Sequence, residues 1–328
     1  MKKYLLCFLL VGILSAQTFI APMQKKKGVS GDATVYVDTM SYTGTGVAGG
    51  DDRAIDLGGQ YDWVMIKGQI SSATLPAVCR SSTMTGDSTK SMGSSVAYFT
   101  NGIQSLTATG MVIGTDTTVN GVGVVYHVTM IKNKSGTIIS GSYTGNATDN
   151  RWLTGLGLSA PDVFIVWANS ATSAVIKTRS MELLSVNTWN FITDNGSANI
   201  IQAMGTVGDS IQLGTSAIVN GAGVTYQYFG IKYETGLIEG GTYTGDGGTA
   251  RQVVTSTFQP NIAWVIAAAP VQKVFKNSMM GSTTGNQFIG PTATTNFGAF
   301  HATGITVNNI NTVNSAAAIY HYVVFKAQ

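Results

Sequence analysis

Four of the 16 acidic side chains in this sequence fall in predicted loops that each end at an arginine. The carboxylates are Asp51, Asp52, Asp149 and Asp246, and the arginines that follow them are Arg53, Arg151 and Arg251. Oxygen-rich loops of this kind can hold Ca²⁺. Asp and Asn also cap turns and accept left-handed backbone geometry, and this second interpretation is favoured. We therefore expect each arginine to bind a loop carboxylate or carbonyl and to hold the loop against the next strand.

Two tryptophans in the middle of the chain are the candidates for ligand binding. Trp152 and Trp189 are expected to expose their rings, and an exposed ring is what a sugar-binding platform needs. By contrast, Trp63, Trp167 and Trp264 lie in apolar runs of strand length, where packing in the core is expected. The sequence therefore leaves carbohydrate binding open as one function.

The remaining titratable residues do not form a recognisable catalytic set. His127 and His321 occupy the same place in two copies of a repeating pattern, and Gln227 stands there in the other copy. A histidine that glutamine replaces in a sister copy is interpreted as a strand residue rather than as a general base. The sequence contains no G-x-S-x-G, H-E-x-x-H, C-x-x-C or P-loop motif. With Cys79 interpreted as a packing residue, we predict that the protein is not an enzyme.

An internal repeat positions all of these residues. Residues 142–151 return at 242–251 and, in a longer form, at 41–53, so that the Tyr-Thr-Gly marker recurs at intervals of 101 and 100 residues. A second marker, a Val-Asn pair followed by Gly or Ser, recurs in the same frame. The marker residues are Tyr42, Tyr143 and Tyr243, with Asn120, Asn220 and Asn314. Two markers with a common period indicate three copies of one unit.

The period divides the chain into repeat 1 (28–134), repeat 2 (135–234) and repeat 3 (235–328), after an N-terminal segment (1–27). Short runs of β-branched and aromatic residues, separated by Gly and Asn turns, predict seven or eight strands per repeat. We expect an all-β protein of three tandem β-sandwiches, each of about 100 residues and jelly-roll-like. No Pro-rich or Gly/Ser spacer separates the repeats, so neighbouring repeats are expected to abut.

The N-terminal segment has the features of an export signal. Two lysines precede an apolar run at 4–14, as in a secretory signal peptide. The alternative is a membrane anchor, because apolar character continues to Met23 and three lysines follow at 25–27. Export with cleavage is the favoured interpretation.

The charge of the chain argues against a nucleic-acid partner. Only 11% of residues are charged, and residues 28–328 carry 14 basic and 16 acidic side chains. A near-neutral body lacks the basic surface on which nucleic-acid binding depends. A surface rich in Ser, Thr, Asn and Gly is more typical of an extracellular or virion protein than of a cytosolic enzyme.

The order of motifs resembles a repeat of phage tail-fibre and other virion-associated proteins, and of some secreted bacterial proteins. Its elements are Y-T-G-(N/D), an arginine, Pro-Asp-Val-aromatic, G-I-x-S-L and V-N-x-x-G-x-x-Y-x-Y, and they cover nearly all of the chain after residue 30. The resemblance implies a structural repeat and no particular chemistry.

From these observations we expect a non-catalytic structural or adhesive protein of a virion, tail-fibre or appendage-like, or of a cell surface. Its partners would be copies of itself or other surface proteins, and no cofactor is expected unless the acidic loops bind Ca²⁺. The alternatives are a secreted carbohydrate-binding protein with glycan partners, and a subunit of an extracellular filament.

Overall fold

A computed structural model describes most of the three repeats. The described residues are 35–46, 52–69, 75–182, 188–192, 199–205, 210–268, 271, 273–281, 284–288, 292–293 and 296–328. The N-terminal segment (1–27) and Asp51 lie outside them. Within this part of the chain the protein is almost entirely β-structure, with three one-turn helices.

Repeat 1 has the following elements: β1 (Val37–Thr43), β2 (Arg53–Asp56), β3 (Trp63–Gln69), β4 (Val78–Ser81), β5 (Lys90–Ser91), β6 (Ile103–Leu106), β7 (Gly110–Ile113), α1 (Thr117–Asn120) and β8 (Val125–Ile131). Five strands form a larger antiparallel sheet in the order β1-β8-β3-β4-β5, and three form a smaller one in the order β2-β7-β6. The strand β8 lies between β1 and β3 and is buried on both faces.

Repeat 2 follows the same plan: β9 (Ile138–Thr144), β10 (Arg151–Leu153), β11 (Val163–Ala168), β12 (Val175–Thr178), α2 (Arg179–Glu182), β13 (Trp189–Asn190), β14 (Ile201–Met204), β15 (Ile211–Leu213), α3 (Ala217–Asn220) and β16 (Thr225–Ile231). Its sheets have the orders β13-β12-β11-β16-β9 and β10-β15-β14. The helix α3 begins where the Ser216 hydroxyl caps it by accepting from Ile218 N, and Asp116 caps α1 in the same way.

Repeat 3 contains β17 (Ile238–Thr244), β18 (Arg251–Val254), β19 (Ile262–Ala267), β20 (Val274–Asn277), β21 (Gly285–Gln287), β22 (Thr292–Ala293), β23 (Phe297–His301), β24 (Gly304–Val307) and β25 (Ile319–Phe325). Its sheets have the orders β17-β25-β19-β20-β21-β22 and β18-β24-β23. The predicted all-β class with three β-sandwich repeats is confirmed.

Each repeat has its own core between its larger and smaller sheets, and a further core is shared by all three repeats. In the shared core, the ring of Trp63 from repeat 1 stacks on Phe229 of repeat 2, with 5.1 Å between ring centroids. The same ring meets Trp264 of repeat 3 edge-on at 5.9 Å. Trp167 is also part of this cluster. The expectation that these three tryptophans fill a core is confirmed, and this core joins the repeats.

The repeats form a closed ring rather than an open row. Repeat 1 meets repeat 2 where Lys90 Nζ donates to Thr172 O at 2.7 Å. Repeat 3 meets repeat 1 where Ala77 N donates to Phe288 O at 2.6 Å. Repeat 2 meets repeat 3 where the Ser180 hydroxyl lies 2.9 Å from Nδ1 of His321. The expectation that neighbouring repeats abut is confirmed, and the first and third repeats are in contact as well.

Candidate functional site

The recurring tyrosines form a stacked pair with a second tyrosine in each repeat. The pairs are Tyr42–Tyr126, Tyr143–Tyr226 and Tyr243–Tyr320, with ring centroids 5.2, 5.2 and 5.1 Å apart. The first tyrosine of each pair donates its hydroxyl to the carbonyl of the valine before the marker asparagine, at 2.5 to 2.6 Å. Burial, together with the neighbouring tyrosine, raises the pKa of each of these hydroxyls well above its usual value. They therefore remain protonated donors.

The recurring arginines hold the loop that precedes them. In repeat 2, Arg151 donates from one nitrogen to Thr144 O at 2.6 Å and to Asn220 Oδ1 at 3.3 Å, and its guanidinium lies 5.8 Å from the Tyr143 ring centroid. Arg53 with Asn120, and Arg251 with Asn314, make the same contacts. The predicted contact with a loop carboxylate is found for Arg251, whose Nε lies 3.3 Å from Asp246 Oδ2. The carbonyl that each arginine binds belongs to the last residue of the strand before the loop. This Tyr–Arg–Asn cluster connects the two sheets of each sandwich.

Glycine ends the Tyr-Thr-Gly marker because the backbone approaches another segment closely there. A Cβ atom at Gly145 would overlap the carbonyl oxygen of Gly221. The equivalent overlaps are Gly44 with the carbonyl of Gly121 and Gly245 with that of Ser315. Only glycine allows this approach without displacing the backbone.

The acidic loops are held by hydrogen bonds within the protein. Asp246 accepts from Gly248 N at 2.8 Å and from Asn314 Nδ2 at 2.9 Å, and these bonds, the first above all, hold the pKa of its carboxyl below the usual value. Asp149 accepts from Asn150 Nδ2 and Gln202 Nε2, both at 3.0 Å. Asp52 is exposed. Among the described residues no three His, Cys, Asp or Glu side chains come together as a metal site.

Two of the histidine positions lie at boundaries between repeats. His321 of repeat 3 places Nδ1 2.9 Å from the Ser180 hydroxyl of repeat 2, and Gln227 of repeat 2 accepts from Thr83 Oγ1 of repeat 1 at 2.5 Å. His127 of repeat 1 bonds through Nε2 to Gln69 at 2.6 Å. Burial lowers the pKa of both His127 and His321 to about 4. These side chains are neutral at physiological pH and join strands and repeats.

A buried cation at equivalent positions of the three repeats was not predicted from the sequence. Arg80, Lys177 and Lys276 each stand two residues after a buried valine, and they donate to main-chain carbonyls. The acceptors include Gly86 O for Arg80, Ile201 O for Lys177 and Thr284 O for Lys276. Burial lowers the pKa of Lys177 and Lys276 to about 8. The signal that would have located them is the Val-x-(Arg/Lys) triplet that recurs in the frame of the repeat, at 78–80, 175–177 and 274–276.

The two candidate ligand-binding tryptophans lie in different surroundings. Trp152 is 47% exposed on the smaller sheet of repeat 2, directly opposite Gln212. Trp189 is only 7% exposed, because it packs in the shared core and Lys273 of repeat 3 covers its ring at 4.7 Å. The expectation of an exposed ring is therefore wrong for Trp189. The structure does not bring the two rings together on one surface.

Beside Trp152 the smaller sheet of repeat 2 carries a cluster of amide and carboxylate groups. Gln202 donates to Asp149, and Gln212 donates from Nε2 to Asn150 Oδ1 at 3.4 Å. The five side chains, Trp152 included, lie on one loop and the three strands of the smaller sheet. We call these residues the Trp152 cluster.

Repeat 3 contains a cavity of about 400 Å³ between its sheets, near the boundary with repeat 1. Lys276 and Met280 lie at its buried side, and Gln259, Asn261, Ser278 and Phe300 line it toward the surface. The Ser278 hydroxyl is 3.1 Å from the Thr39 hydroxyl of repeat 1. The sequence analysis did not identify any of these residues as a site.

Comparisons of the chain with protein-family models, with curated proteins and with solved structures each found no match. No helix in the described part of the chain has the length and apolar character needed to span a membrane. The function is therefore inferred from the contacts within the chain itself.

Proposed function

We propose that the protein is a non-catalytic structural protein that stands on the surface of a virion or a cell as one rigid, three-part body. The observation that carries this proposal is the shared core, in which Trp63 packs on Phe229 of the second repeat and Trp264 of the third. Large aromatic rings buried between the repeats fix the positions of the repeats relative to one another. Rigid relative placement is what a fibre or appendage component needs in order to transmit contact and load.

The positions of the recurring side chains support a structural role over a catalytic one. The tyrosines, arginines and asparagines that define the repeat are used in main-chain contacts inside each sandwich. Cys79 is fully buried, and burial raises the pKa of its thiol to about 12, which disfavours the nucleophilic thiolate. The raised pKa of the Cys79 thiol thus gives no support to a nucleophile–base pair at this residue.

A surface location is supported by composition. Charged residues make up only 11% of the chain, against roughly 25% in an average soluble domain. The apolar run at 4–14 after two lysines fits export. The resemblance to virion-associated and secreted repeats points in the same direction.

Immunogold electron microscopy of the source cells, and of particles released from them, tests this proposal. We expect label on the outside of cells or on particles, and negative staining of purified protein should show compact bodies or their ordered assemblies. Long filaments of purified protein would favour a filament subunit. Label confined to the cytoplasm would contradict the proposal.

Carbohydrate binding is the second candidate function, and the Trp152 cluster is the observation that favours it. An exposed indole offers an apolar face, and the adjacent amide and carboxylate groups of Gln202, Gln212 and Asp149 offer hydrogen-bond donors and acceptors at its edge. Repeat 1 has Ala54 and repeat 3 has Gln252 at the position of Trp152, so this surface is specific to repeat 2.

A glycan array probed with the wild-type protein and with Trp152→Gln tests this second candidate. The substitution copies the residue of repeat 3, so the fold should be retained. The signals of glycans that bind at the Trp152 cluster should fall at least tenfold in the variant. Val254→Ser, at another exposed apolar residue on the smaller sheet of repeat 3, is the matched control and should leave the signals unchanged. Equal glycan signals from the wild type and both variants would show that the Trp152 cluster does not bind these glycans.

A further inference from the structure

The cavity of repeat 3 lies where repeat 2 carries the side chain of Arg179. The two positions correspond in backbone bonding: Arg179 N donates to Asp162 O at 2.7 Å, and Ser278 N donates to Asn261 O at 2.7 Å. In repeat 2 the guanidinium donates to the carbonyls of Pro161 and Met204, both at 2.6 Å. Repeat 2 therefore fills this space with its own chain.

Repeat 3 retains the acceptors of that arginine but has lost the arginine. Pro260 stands in place of Pro161, and both Pro260 and Phe300 line the cavity. Phe300 is the counterpart of Met204, because Phe300 pairs with Ile305 as Met204 pairs with Ile211. The space occupied by a side chain in one repeat is thus open in the other, where Phe300 O accepts from Gln259 Nε2 at 3.3 Å and keeps a second lone pair.

Both carboxylates that neutralise Arg179 are also absent from repeat 3. In repeat 2, Arg179 forms ion pairs with Glu182 at 3.0 Å and with Asp162 at 3.7 Å. The corresponding residues of repeat 3 are Gly281 and Asn261. A cationic ligand would find no anionic partner at these two positions, and burying an unpaired charge is costly.

An anionic ligand fits the cavity no better. The one cation of the lining is Lys276, whose Nζ already donates to the carbonyls of Gly281 and Thr284, both at 2.7 Å. The same nitrogen lies 5.7 Å from the centroid of the Phe300 ring. The cavity therefore suits an uncharged group that donates and accepts hydrogen bonds.

We propose that this cavity binds one residue of a neutral saccharide. Its hydroxyl groups would donate to the carbonyls of Pro260 and Phe300 and would bond to the amides of Asn261 and Gln259, while the ring of Phe300 packs against the sugar. Asn261 Oδ1 accepts from Ala327 N at 3.0 Å, and no described residue accepts from its amide nitrogen. A volume of about 400 Å³ with an aromatic wall and a few polar groups is typical of a small-ligand site.

This proposal rests on the second candidate function, carbohydrate binding, and assigns it to a different place from the Trp152 cluster. The test is titration calorimetry, with saturation-transfer NMR, using neutral hexoses, N-acetylhexosamines and their disaccharides. We compare the wild type with the double variant Ser278→Arg/Asn261→Asp, which copies the arginine and carboxylate of repeat 2 and should refill the cavity. The affinity should fall at least tenfold in the double variant and stay unchanged in Trp152→Gln.

Several outcomes would overturn the proposal. These are full affinity in the double variant, loss of binding in Trp152→Gln alone, absence of binding by every neutral saccharide of the panel, or tighter binding of guanidinium or phosphate compounds at this cavity. Loss in Trp152→Gln alone would still leave carbohydrate binding as a function, located on the outer sheet. If the double variant does not fold, Phe300→Leu decides the matter, because it removes only the aromatic wall and should also reduce the affinity at least tenfold.

Discussion

The Ser180 hydroxyl lies 2.9 Å from Nδ1 of His321, although the two residues are 141 positions apart and belong to different repeats. Thr83 and Gln227 make the equivalent contact between repeats 1 and 2. At the boundary between repeats 3 and 1, the residue in the place of Ser180 is Met279, and Nδ1 of the buried His127 has no hydrogen-bond partner among the described residues. The position on the larger sheet thus holds His127, Gln227 or His321, and the equivalent residues that come from the neighbouring repeat are Met279, Thr83 and Ser180.

These buried histidines predict that acid destabilises the protein. Because the pKa of His127 and His321 is about 4 in the folded state and about 6.5 in the unfolded state, the unfolded chain binds more protons between these values. The free energy of unfolding should fall by up to about 1.4 kcal/mol per pH unit for each histidine as the pH drops from 6.5 to 4. Urea denaturation at pH 7, 5.5 and 4.5 measures this.

The substitution His321→Gln, which copies repeat 2, should reduce this acid sensitivity. The reverse change, Gln227→His, should increase it by adding a third buried imidazole. Equal pH profiles for the three proteins would show that these positions do not titrate on unfolding.

The buried lysines predict that stability rises further in mild alkali. Burial lowers the pKa of Lys67 to about 7 and that of Lys90, Lys177 and Lys276 to about 8, from 10.5 in the unfolded chain. The unfolded state therefore binds more protons between about pH 8 and 10, and the free energy of unfolding should increase over this range. Guanidinium denaturation at pH 7, 8 and 9 measures the slope, and Lys90→Met should lower it. A flat or falling profile would contradict the prediction.

The shared core predicts that the three repeats unfold together. Trp63→Ala removes a ring that contacts repeats 2 and 3, and should reduce the free energy of unfolding by about 3–5 kcal/mol. Fluorescence and circular dichroism should give coincident transitions in both proteins. Trp152→Ala, at an exposed ring, is the control and should change stability by about 0.5 kcal/mol or less. Three separate transitions in the wild type would contradict the shared core.

The close backbone approach at Gly145 predicts a destabilising effect of the smallest side chain. Gly145→Ala would force the methyl group into the carbonyl of Gly221 and should cost more than about 1 kcal/mol. Gly59→Ala is the matched control, because a Cβ atom there meets nothing within 4 Å. Thermal unfolding measures both, and similar melting temperatures for the two variants would argue against the close approach.

Much of the fold was readable from local sequence patterns. Apolar runs of strand length located β3, β11 and β19, which hold Trp63, Trp167 and Trp264, and the period of the Tyr-Thr-Gly marker identified three copies of one sandwich. The arginine contacts followed from the chemistry of a loop that ends at a cation. These features depend on residues that are close in sequence or that recur in one frame.

No local sequence pattern predicted the closed ring of repeats, the burial of Trp189 or the cavity of repeat 3. The bond between Ala77 and Phe288 joins residues more than two hundred positions apart, with no local signal at either one. Trp189 was expected at the surface because the covering residue, Lys273, comes from another repeat. The cavity of repeat 3 depends on the absence of an arginine at Ser278, which is visible only when the repeats are aligned on their backbone bonds.

The tryptophans of the shared core sit at successive positions along equivalent strands: Trp63 pairs with Ile131, Trp264 two residues further along its strand with Val323, and Trp167 four residues along with Gln227. Three identical subunits with this architecture would have to place three indoles at the same height around their axis. Fusing the copies into one polypeptide breaks that symmetry, so each height holds one indole beside smaller neighbours. Gene duplication would thus have allowed the tryptophan to occupy a different strand position in each repeat, which three identical subunits cannot do.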